Sequence, residues 1–354
     1  ALKVLLTSLE FRSLLRNLPD YMKAVDGNGD VELEGLQVAA GDIKPLKTVV
    51  VDSDKALQGL PLQGELVIHS LAARPHGRDP QLLILADQTT AYVLDLTKLD
   101  KSKIRDFLTT NYQLPTTKIV GHDVKSSLKV LLELGIETLP KVSHDTLVGA
   151  FLINAIRREH TLTELAFTDL GYEGSSFEDM PPDELMTRAG EVAAVIWALK
   201  NFQAESMSEL TKLIQLSEDV EWPVIPVLAR MEYEGIGLDT KYLAKMSSEL
   251  EGLISDIEQT IYGYADKEFN ISSPGQLSEI LFEELGLPTQ ASKKGKTGNY
   301  STASDVLQKL KGLHPIIECI EQYREYTKLK STYVDALPKL VDAEGRIHTT
   351  FNLT

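Results

Sequence analysis

The spacing of hydrophobic and polar residues changes along the chain, from short β-rich runs to long helical patterns. From Thr48, short apolar runs separated by Gly, Pro and Asp clusters predict strands. The predicted strands are 48–51, 65–71, 81–86 and 90–94, with a further buried strand at 118–121. Helical spacing then predicts helices at 124–134, 147–156 and 162–170. The first part of the chain is therefore predicted to be a mixed α/β domain.

The second half carries longer helical patterns and few strand signals. An Ala-rich helix is predicted at 188–202, and a helical stretch follows at 207–231. Pro223 and Pro226 predict a kink or a break inside that stretch, because proline lacks an N–H and clashes with the preceding turn. A third long helix is predicted at 241–264. This half is predicted to be mainly α.

These patterns predict three segments. They are a leader helix and loop at 1–47, an α/β domain at 48–205 and a mainly α domain at 206–354. No apolar run approaches the roughly 18 residues that span a bilayer, and Ala1–Leu9 lacks the features of a secretory signal. The sequence therefore predicts a cytoplasmic protein.

Cysteine content and charge narrow the possible functions. Cys319 is the only cysteine of the 354 residues, and no CxxC or HExxH spacing is present, so a zinc enzyme is not expected. The net charge of −16 argues against nucleic-acid binding when it is averaged over the chain. Residues 266–354 nevertheless carry 11 basic and 12 acidic residues, so the acidic excess lies in the preceding residues.

Residues 269–277, Phe-Asn-Ile-Ser-Ser-Pro-Gly-Gln-Leu, combine hydroxyl groups with a helix start. Ser272 or Ser273 can cap a helix that begins with Pro274, a favoured first helical residue. A helix start with free amides and two hydroxyls can bind a phosphate. A well-capped helix without a ligand is the alternative explanation of the same residues.

Two basic stretches follow. Residues 293–302, Lys-Lys-Gly-Lys-Thr-Gly-Asn-Tyr-Ser-Thr, predict a loop that ends in a Ser/Thr cap before a helix at 305–311, and they match an ATP-binding P-loop poorly. Residues 323–333 place Arg324, Lys328 and Ser331 on one helical face. Such groups suit contacts to a sugar–phosphate backbone, although a charged helical face is more often simply solvated.

The order and spacing of these three stretches resemble the thumb of bacterial family A DNA polymerases, the DNA polymerase I type. That family shows an Asn-x-Ser-Ser-Pro-x-Gln-Leu helix start, a Lys-Thr-Gly-x-x-Ser-Thr tip and a Tyr-Arg-x-x-x-Lys-Leu-x-Ser-Thr-Tyr helix. Residues 345–352, Gly-Arg-Ile-His-Thr-Thr-Phe-Asn, are similar to the family's strand that enters the palm. Residues 221–239 are similar to the family's helix and turn before the thumb. Residues 9–15 are similar to the start of its large fragment.

The resemblance implies a thumb that holds double-stranded primer–template DNA. Its contacts would be electrostatic and independent of base sequence. The DNA-binding residues that the resemblance implies are Ser272, Ser273, Lys296, Thr297, Ser301, Thr302, Arg324, Lys328, Lys330 and Ser331.

The resemblance also implies that residues 48–205 form a ribonuclease H-like domain in the place of the 3'-5' proofreading exonuclease. That reaction uses two metal ions about 4 Å apart, held by several carboxylates. The first motif of the family, Asp-x-Glu, corresponds here to Asp52-Ser-Asp54. Ser127 occupies the position of a second metal-binding Asp. In the third motif, Tyr-x-x-x-Asp, Arg188 replaces the Tyr and Val192 replaces the Asp. We therefore expect no catalytic residue and no metal site, with Asp52 and Asp54 as vestiges.

The family's palm and fingers carry the magnesium-binding aspartates of polymerisation, and no part of this sequence matches them. The resemblance thus implies the N-terminal part of a DNA-directed DNA polymerase, a nucleotidyltransferase of DNA replication and repair. The chain alone is expected to be inactive and to hold no cofactor. Its expected partner is a palm and fingers segment, in cis or as a separate fragment. The alternatives are a working metal-dependent exonuclease and a noncatalytic adaptor or half of a split polymerase.

Overall fold

The computed structural model describes residues 43–289 and 298–354, which form two compact units. Unit 1 comprises the described residues up to Tyr233 together with Thr350–Thr354, and unit 2 comprises those of Glu234–Thr349. The predicted leader at 1–47 lies almost wholly outside the described residues. The division falls later than the predicted boundary at residue 205, because a helix beyond that point packs into the core of unit 1.

Unit 1 contains a six-stranded sheet in the order β1-β4-β3-β2-β5-β6. Strands β2, β3 and β4 are antiparallel neighbours, whereas β1 pairs with β4, β5 with β2, and β6 with β5 in parallel. The first strand is therefore an edge strand that pairs with β4 rather than with β2, its neighbour in sequence. The strands are β1 Lys47–Val51, β2 Leu66–Ala72, β3 Pro80–Ala86, β4 Thr90–Asp95, β5 Lys118–Gly121 and β6 Lys141–Asp145.

Helices cover both faces of this sheet. Alternate residues of β2 point to opposite sides, so Ile68 packs with Leu128 in one core and Val67 packs with Val192 in the other. The helices of unit 1 are α1 Asp54–Gln58, α2 Lys101–Asp106, α3 Val124–Glu133, α4 Thr146–Ile153, α5 Leu162–Leu170, α6 Pro182–Met207, α7 Thr211–Leu216 and α8 Trp222–Glu234.

Helix α8 anchors the end of unit 1. It buries Trp222, Ile225 and Ala229 in the core that lies on the α3 side of the sheet. Of the kink or break predicted at the prolines, a break is absent at Pro226, because α8 continues through it. The irregularity is instead a π-helical turn at Ser217–Glu221, immediately before α8.

Unit 2 is mainly helical. Helix α9 spans Thr240–Ala265, α10 spans Pro274–Ser278, α11 spans Ser304–Leu310 and α12 spans Ile316–Lys328. Helices α10 and α12 each run on into a π-helical turn, at Glu279–Glu284 and Leu329–Val334. Short strands β7 Ile236–Gly237 and β8 Arg346–Ile347 pair antiparallel. One apolar cluster, which includes Ile261, Leu281, Leu307 and Ile320, holds α9 to α12 together.

A buried histidine of unit 1 predicts a dependence of its stability on pH. His144 Nε2 donates to Gln203 Oε1 at 2.7 Å, and Gln203 Nε2 donates to the Thr146 carbonyl at 2.9 Å. Burial lowers the pKa of His144 to about 4. In the unfolded chain, the pKa of a histidine is near 6.5, so as the pH falls the unfolded state is protonated before the folded state. The free energy of unfolding is therefore highest above about pH 6.5, and it decreases as the pH falls from 6.5 toward 4.

Because of His144, we expect the unfolding free energy of unit 1 to be about 1.4 kcal/mol lower at pH 5.5 than at pH 7.5. Urea unfolding followed by tryptophan fluorescence measures this loss, because Trp197 and Trp222 both lie in unit 1. The variant His144→Gln should show a smaller loss, whereas the control His314→Gln, in unit 2, should behave as the wild type. An unchanged pH dependence in His144→Gln would contradict the assignment.

Candidate nucleic-acid interface

The helix start at α10 is organised by an amide pair rather than by its serines. Gln276 Oε1 accepts from the Asn270 N–H at 2.7 Å, and Asn270 Oδ1 accepts from the Ser272 N–H at 3.0 Å. Ser273 occupies the N-cap position but makes no capping bond with its side chain. The helix thus begins at Pro274 with Ser273 at its N-cap, as predicted, but without the side-chain hydrogen bond of a capping serine. Ser272 is exposed and Ser273 partly exposed, so both hydroxyls are accessible from solvent.

The loop before α11 is hydrogen-bonded to α10, and a serine side chain within the loop accepts a second hydrogen bond. The Tyr300 N–H donates to Ser278 Oγ at 3.0 Å, and the Ala303 N–H donates to Ser301 Oγ at 3.3 Å. The N-cap of α11 is Ala303, so the Ser/Thr cap predicted for this helix is wrong. Thr302 is buried, with 4% of its surface exposed.

Arg324 of α12 joins this loop to the helix. Its Nη1 donates to the Thr302 carbonyl at 2.6 Å, and its Nη2 donates to Thr302 Oγ1 at 3.3 Å. The guanidinium is half-buried, and burial lowers the pKa of Arg324 from its usual value. It makes no ion pair with a described carboxylate. A positive charge without a described counterion thus faces this loop.

The three sequence stretches meet at one open pocket in unit 2. Its lining residues are Pro274, Gly275, Asn299, Tyr300, Ser301, Thr302, Ala303 and Arg324. The pocket therefore combines a helix start, serine and threonine groups and one arginine, the groups that proteins use on phosphate. Sequence reasoning missed Asn299 and Tyr300, which occupy the two variable positions of the Lys-Thr-Gly-x-x-Ser-Thr pattern.

The remaining predicted contact residues are distributed unevenly. Lys328 is exposed and makes no ion pair with a described residue, whereas Lys330 Nζ lies 2.9 Å from Asp335 Oδ2. Ser331 Oγ donates to the Thr327 carbonyl at 2.7 Å. Lys330 and Ser331 thus already have partners within unit 2. Lys296 and Thr297 lie outside the described residues.

The structure places Asp52 and Asp54 away from Ser127, the other position of the nuclease motifs. Ser127 on α3 accepts a hydrogen bond from Ser70 of β2 at 3.2 Å. Asp52 and Asp54 follow β1, which lies three strand spacings from β2, or about 14 Å. Asp54 forms an ion pair with Lys103 instead. The strand beside Ser127 therefore presents Ser70, which sequence reasoning missed because only the sheet order shows it.

The other positions of the nuclease motifs have structural contacts. Val192 is fully buried against the sheet, and Arg188 forms ion pairs with Glu184 and Glu191 at 2.8 and 2.7 Å. Asp145 caps α4, accepting from the Leu147 N–H at 2.9 Å. Burial and the neighbouring charge of Asp123 raise the pKa of Asp145 to about 7, although its backbone hydrogen bonds act in the opposite direction and lower it.

The described parts of the chain contain neither a cluster of metal-ligating side chains nor a membrane-spanning helix. Within residues 43–289 and 298–354, no three His, Cys, Asp or Glu side chains are grouped closely enough to hold a metal ion. In the same residues, every helix is too short or too polar to cross a membrane.

Comparison with known proteins connects both units to one group of enzymes. Residues 240–354 match the sequence model of DNA polymerase family A. DNA polymerase I of Synechocystis sp. is 37% identical over 246 residues, which cover 66% of this chain and 25% of that protein. DNA polymerase I of Geobacillus stearothermophilus is 39% identical over 251 residues, which cover 67% of this chain and 28% of that protein. The chain thus spans about a quarter of the length of these relatives.

A solved structure gives the same result. The POL domain of Pol1 from M. smegmatis, in complex with DNA primer-template and dNTP, superposes with a TM-score of 0.65 at 30% identity. The match covers 81% of this chain and 48% of that one. The chain is therefore homologous to DNA polymerase I, and its residues 240–354 match DNA polymerase family A.

Proposed function

We propose that this chain is the nuclease-like and thumb portion of a DNA-directed DNA polymerase of the DNA polymerase I type. In this proposal, unit 2 is a thumb that holds the primer–template duplex. The observation that carries it is the convergence of three separate polar stretches at the Arg324 pocket. The M. smegmatis neighbour, which was solved with primer-template DNA, supports the same assignment.

The chemistry of the pocket suits a phosphate rather than a base. Arg324 supplies a fixed positive charge, and its fork of N–H donors matches the oxygens of a phosphate. Ser272 and Ser273 do not line the pocket, but they directly precede Pro274, which does, and their side chains are accessible from solvent. Contacts of this kind position the duplex without selecting its sequence, which a polymerase requires.

Unit 1 supplies support rather than nuclease chemistry in this proposal, and its fold is ribonuclease H-like. A two-metal reaction needs carboxylates around both ions. Ser127 faces Ser70, and Val192 lies in the apolar core, so these positions provide no carboxylate. The magnesium ions of polymerisation would then be bound by a palm that the described residues do not include.

Fluorescence anisotropy with a labelled duplex tests the assignment. The chain should bind duplexes of unrelated sequence with the same affinity, within about twofold, since phosphate contacts carry no sequence information. Single-stranded DNA incubated with Mg²⁺ or Mn²⁺ should keep its length. Shortening that is abolished by Asp52→Ala would instead establish a working exonuclease, and an absence of DNA binding would favour an adaptor.

Lys328 offers a point test of the proposed DNA surface. Replacing it with alanine should weaken duplex binding about fivefold and reduce the slope of log K against log salt by about one, because one phosphate contact is lost. The control Lys245→Ala removes an equal charge from α9, where Lys245 pairs with Glu249 at 3.6 Å. The control should change the affinity less than twofold, and equal losses in the two variants would contradict the assignment.

A further inference from the structure

A buried ionic cluster joins helices α3 and α8 of unit 1. Lys125 and Lys129 are four residues apart on α3, so they share one face of that helix. Glu232 of α8 lies 2.7 Å from Lys125 Nζ and 2.5 Å from Lys129 Nζ. The side chain of Glu232 is fully buried, and those of the two lysines are 5 and 7% exposed. We call these three residues the Lys–Glu–Lys cluster.

The backbone near the end of the chain completes this cluster. The Phe351 N–H donates to Glu232 Oε1 at 2.7 Å, and Lys125 Nζ donates to the Phe351 carbonyl. The cluster contains two ammonium groups and one carboxylate, so the carbonyl oxygen supplies a further acceptor for the excess of N–H donors. Both contacts use the backbone of residue 351. They therefore depend on the position of that residue in the chain and not on its side chain.

The cluster connects two points of the chain that are separated by the whole of unit 2. The chain leaves unit 1 one residue beyond Glu232 and returns one residue before Phe351. Within this described tail, residues 350–354 form no helix or strand, and Leu353 packs against the same apolar core as α8. Apolar packing is not directional, so it does not determine which residue of the tail lies beside α8. The two backbone hydrogen bonds do determine it.

Burying three charges costs free energy that their mutual attraction barely offsets, and apolar side chains of similar volume often stabilise a protein as well. A buried polar group can instead fix the register of the segments that it joins. We propose that the Lys–Glu–Lys cluster is a register clamp, which selects Phe351 as the residue at which the returning chain is bound to unit 1 and adds little net stability. This inference goes beyond the proposed function and does not depend on DNA binding.

An apolar replacement of the whole cluster separates register from stability. In the triple variant Lys125→Met, Lys129→Met and Glu232→Leu, the Tm of unit 1, followed by tryptophan fluorescence, should stay within about 3 °C of the wild-type value. Glu232→Gln alone should lower this Tm by at least about 6 °C, because both ammonium groups then lack a counterion. Hydrogen exchange at the amide of residue 351, measured by NMR, should become about tenfold faster or more in the triple variant, since that amide loses its acceptor.

Two further variants serve as controls. Arg157 and Asp169 form another ion pair of unit 1, at 2.6 Å with side chains 11 and 7% exposed, and the double variant Arg157→Met and Asp169→Leu should leave exchange at residue 351 unchanged. Phe351→Ala should also preserve it within about threefold, because the clamp binds the backbone. A triple variant that fails to fold, or that loses as much Tm as Glu232→Gln, would overturn the proposal, because the cluster would then be needed for stability. Unchanged exchange at residue 351 in the triple variant would overturn it as well, since apolar packing would then be sufficient to fix the tail.

Discussion

Replacing Glu232 with glutamine is expected to lower the unfolding free energy of unit 1 by about 3–5 kcal/mol. Glu232 is fully buried between Lys125 and Lys129, whose side chains are 5 and 7% exposed. Burial alone raises the pKa of Glu232, but hydrogen bonds from the two lysines lower it below the ordinary value. The substitution keeps the shape of the side chain, yet it leaves two buried ammonium groups without a counterion, which explains the size of the loss.

Urea unfolding followed by tryptophan fluorescence reports this change, because both tryptophans belong to unit 1. Glu218→Gln is the matched control, since it removes the same charge from an exposed position of the preceding turn. It should change stability by less than about 0.5 kcal/mol. A loss below about 1 kcal/mol for Glu232→Gln would show that the lysines reach water and that the network is not a buried one.

Replacing Arg324 with alanine is expected to weaken duplex binding about 30-fold, the largest loss for any single residue of the proposed DNA surface. Two effects add. The pocket loses its positive charge, and charge-assisted bonds to phosphate contribute about 2 kcal/mol. The Thr302 carbonyl also loses its 2.6 Å donor, so the loop that carries Ser301 is no longer fixed. Arg324→Lys should recover part of the affinity, because it restores the charge but not the planar fork.

Arg346→Ala is the control for this experiment. Arg346 also bonds to backbone carbonyls of unit 2, with Nε to Glu234 and Nη2 to Gly235, at 2.5 and 2.8 Å. It lies outside the pocket, so its removal costs the same charge and similar bonds without touching the proposed contacts. Affinity should fall less than threefold. Equal losses in Arg324→Ala and Arg346→Ala would mean that both act only through folding or overall charge.

Much of the secondary structure could be predicted from local patterns, because runs of β-branched and apolar residues and helical spacing are local signals. The helix at Leu162–Leu170 matches its predicted limits, and β3 and β4 lie within a residue of theirs. Strand β6, Lys141–Asp145, was missed because its Lys-Val-Ser-His-Asp sequence is mostly polar. The pairing of β1 with β4 could not be predicted, since it joins residues about 40 positions apart.

The order of the strands also bears on the nuclease-like site. Asp52 and Asp54 follow a strand and resemble an Asp-x-Glu pattern, so the sequence favoured them as vestigial ligands. Only the order of the strands shows that β2, with Ser70, is the strand beside Ser127. At the DNA surface, the residue types of the three stretches indicated phosphate contacts, but the bond from Arg324 to Thr302 depends on tertiary packing.

The salt dependence of duplex binding tests the central claim, that unit 2 grips the phosphate backbone through its basic and hydroxyl groups. A surface with about three cationic phosphate contacts should lose roughly 50-fold in affinity between 50 and 200 mM salt, with a slope near −3 in log K against log salt. We expect that slope for the wild-type protein and a shallower one for Lys328→Ala. An affinity that hardly changes over this range would contradict it.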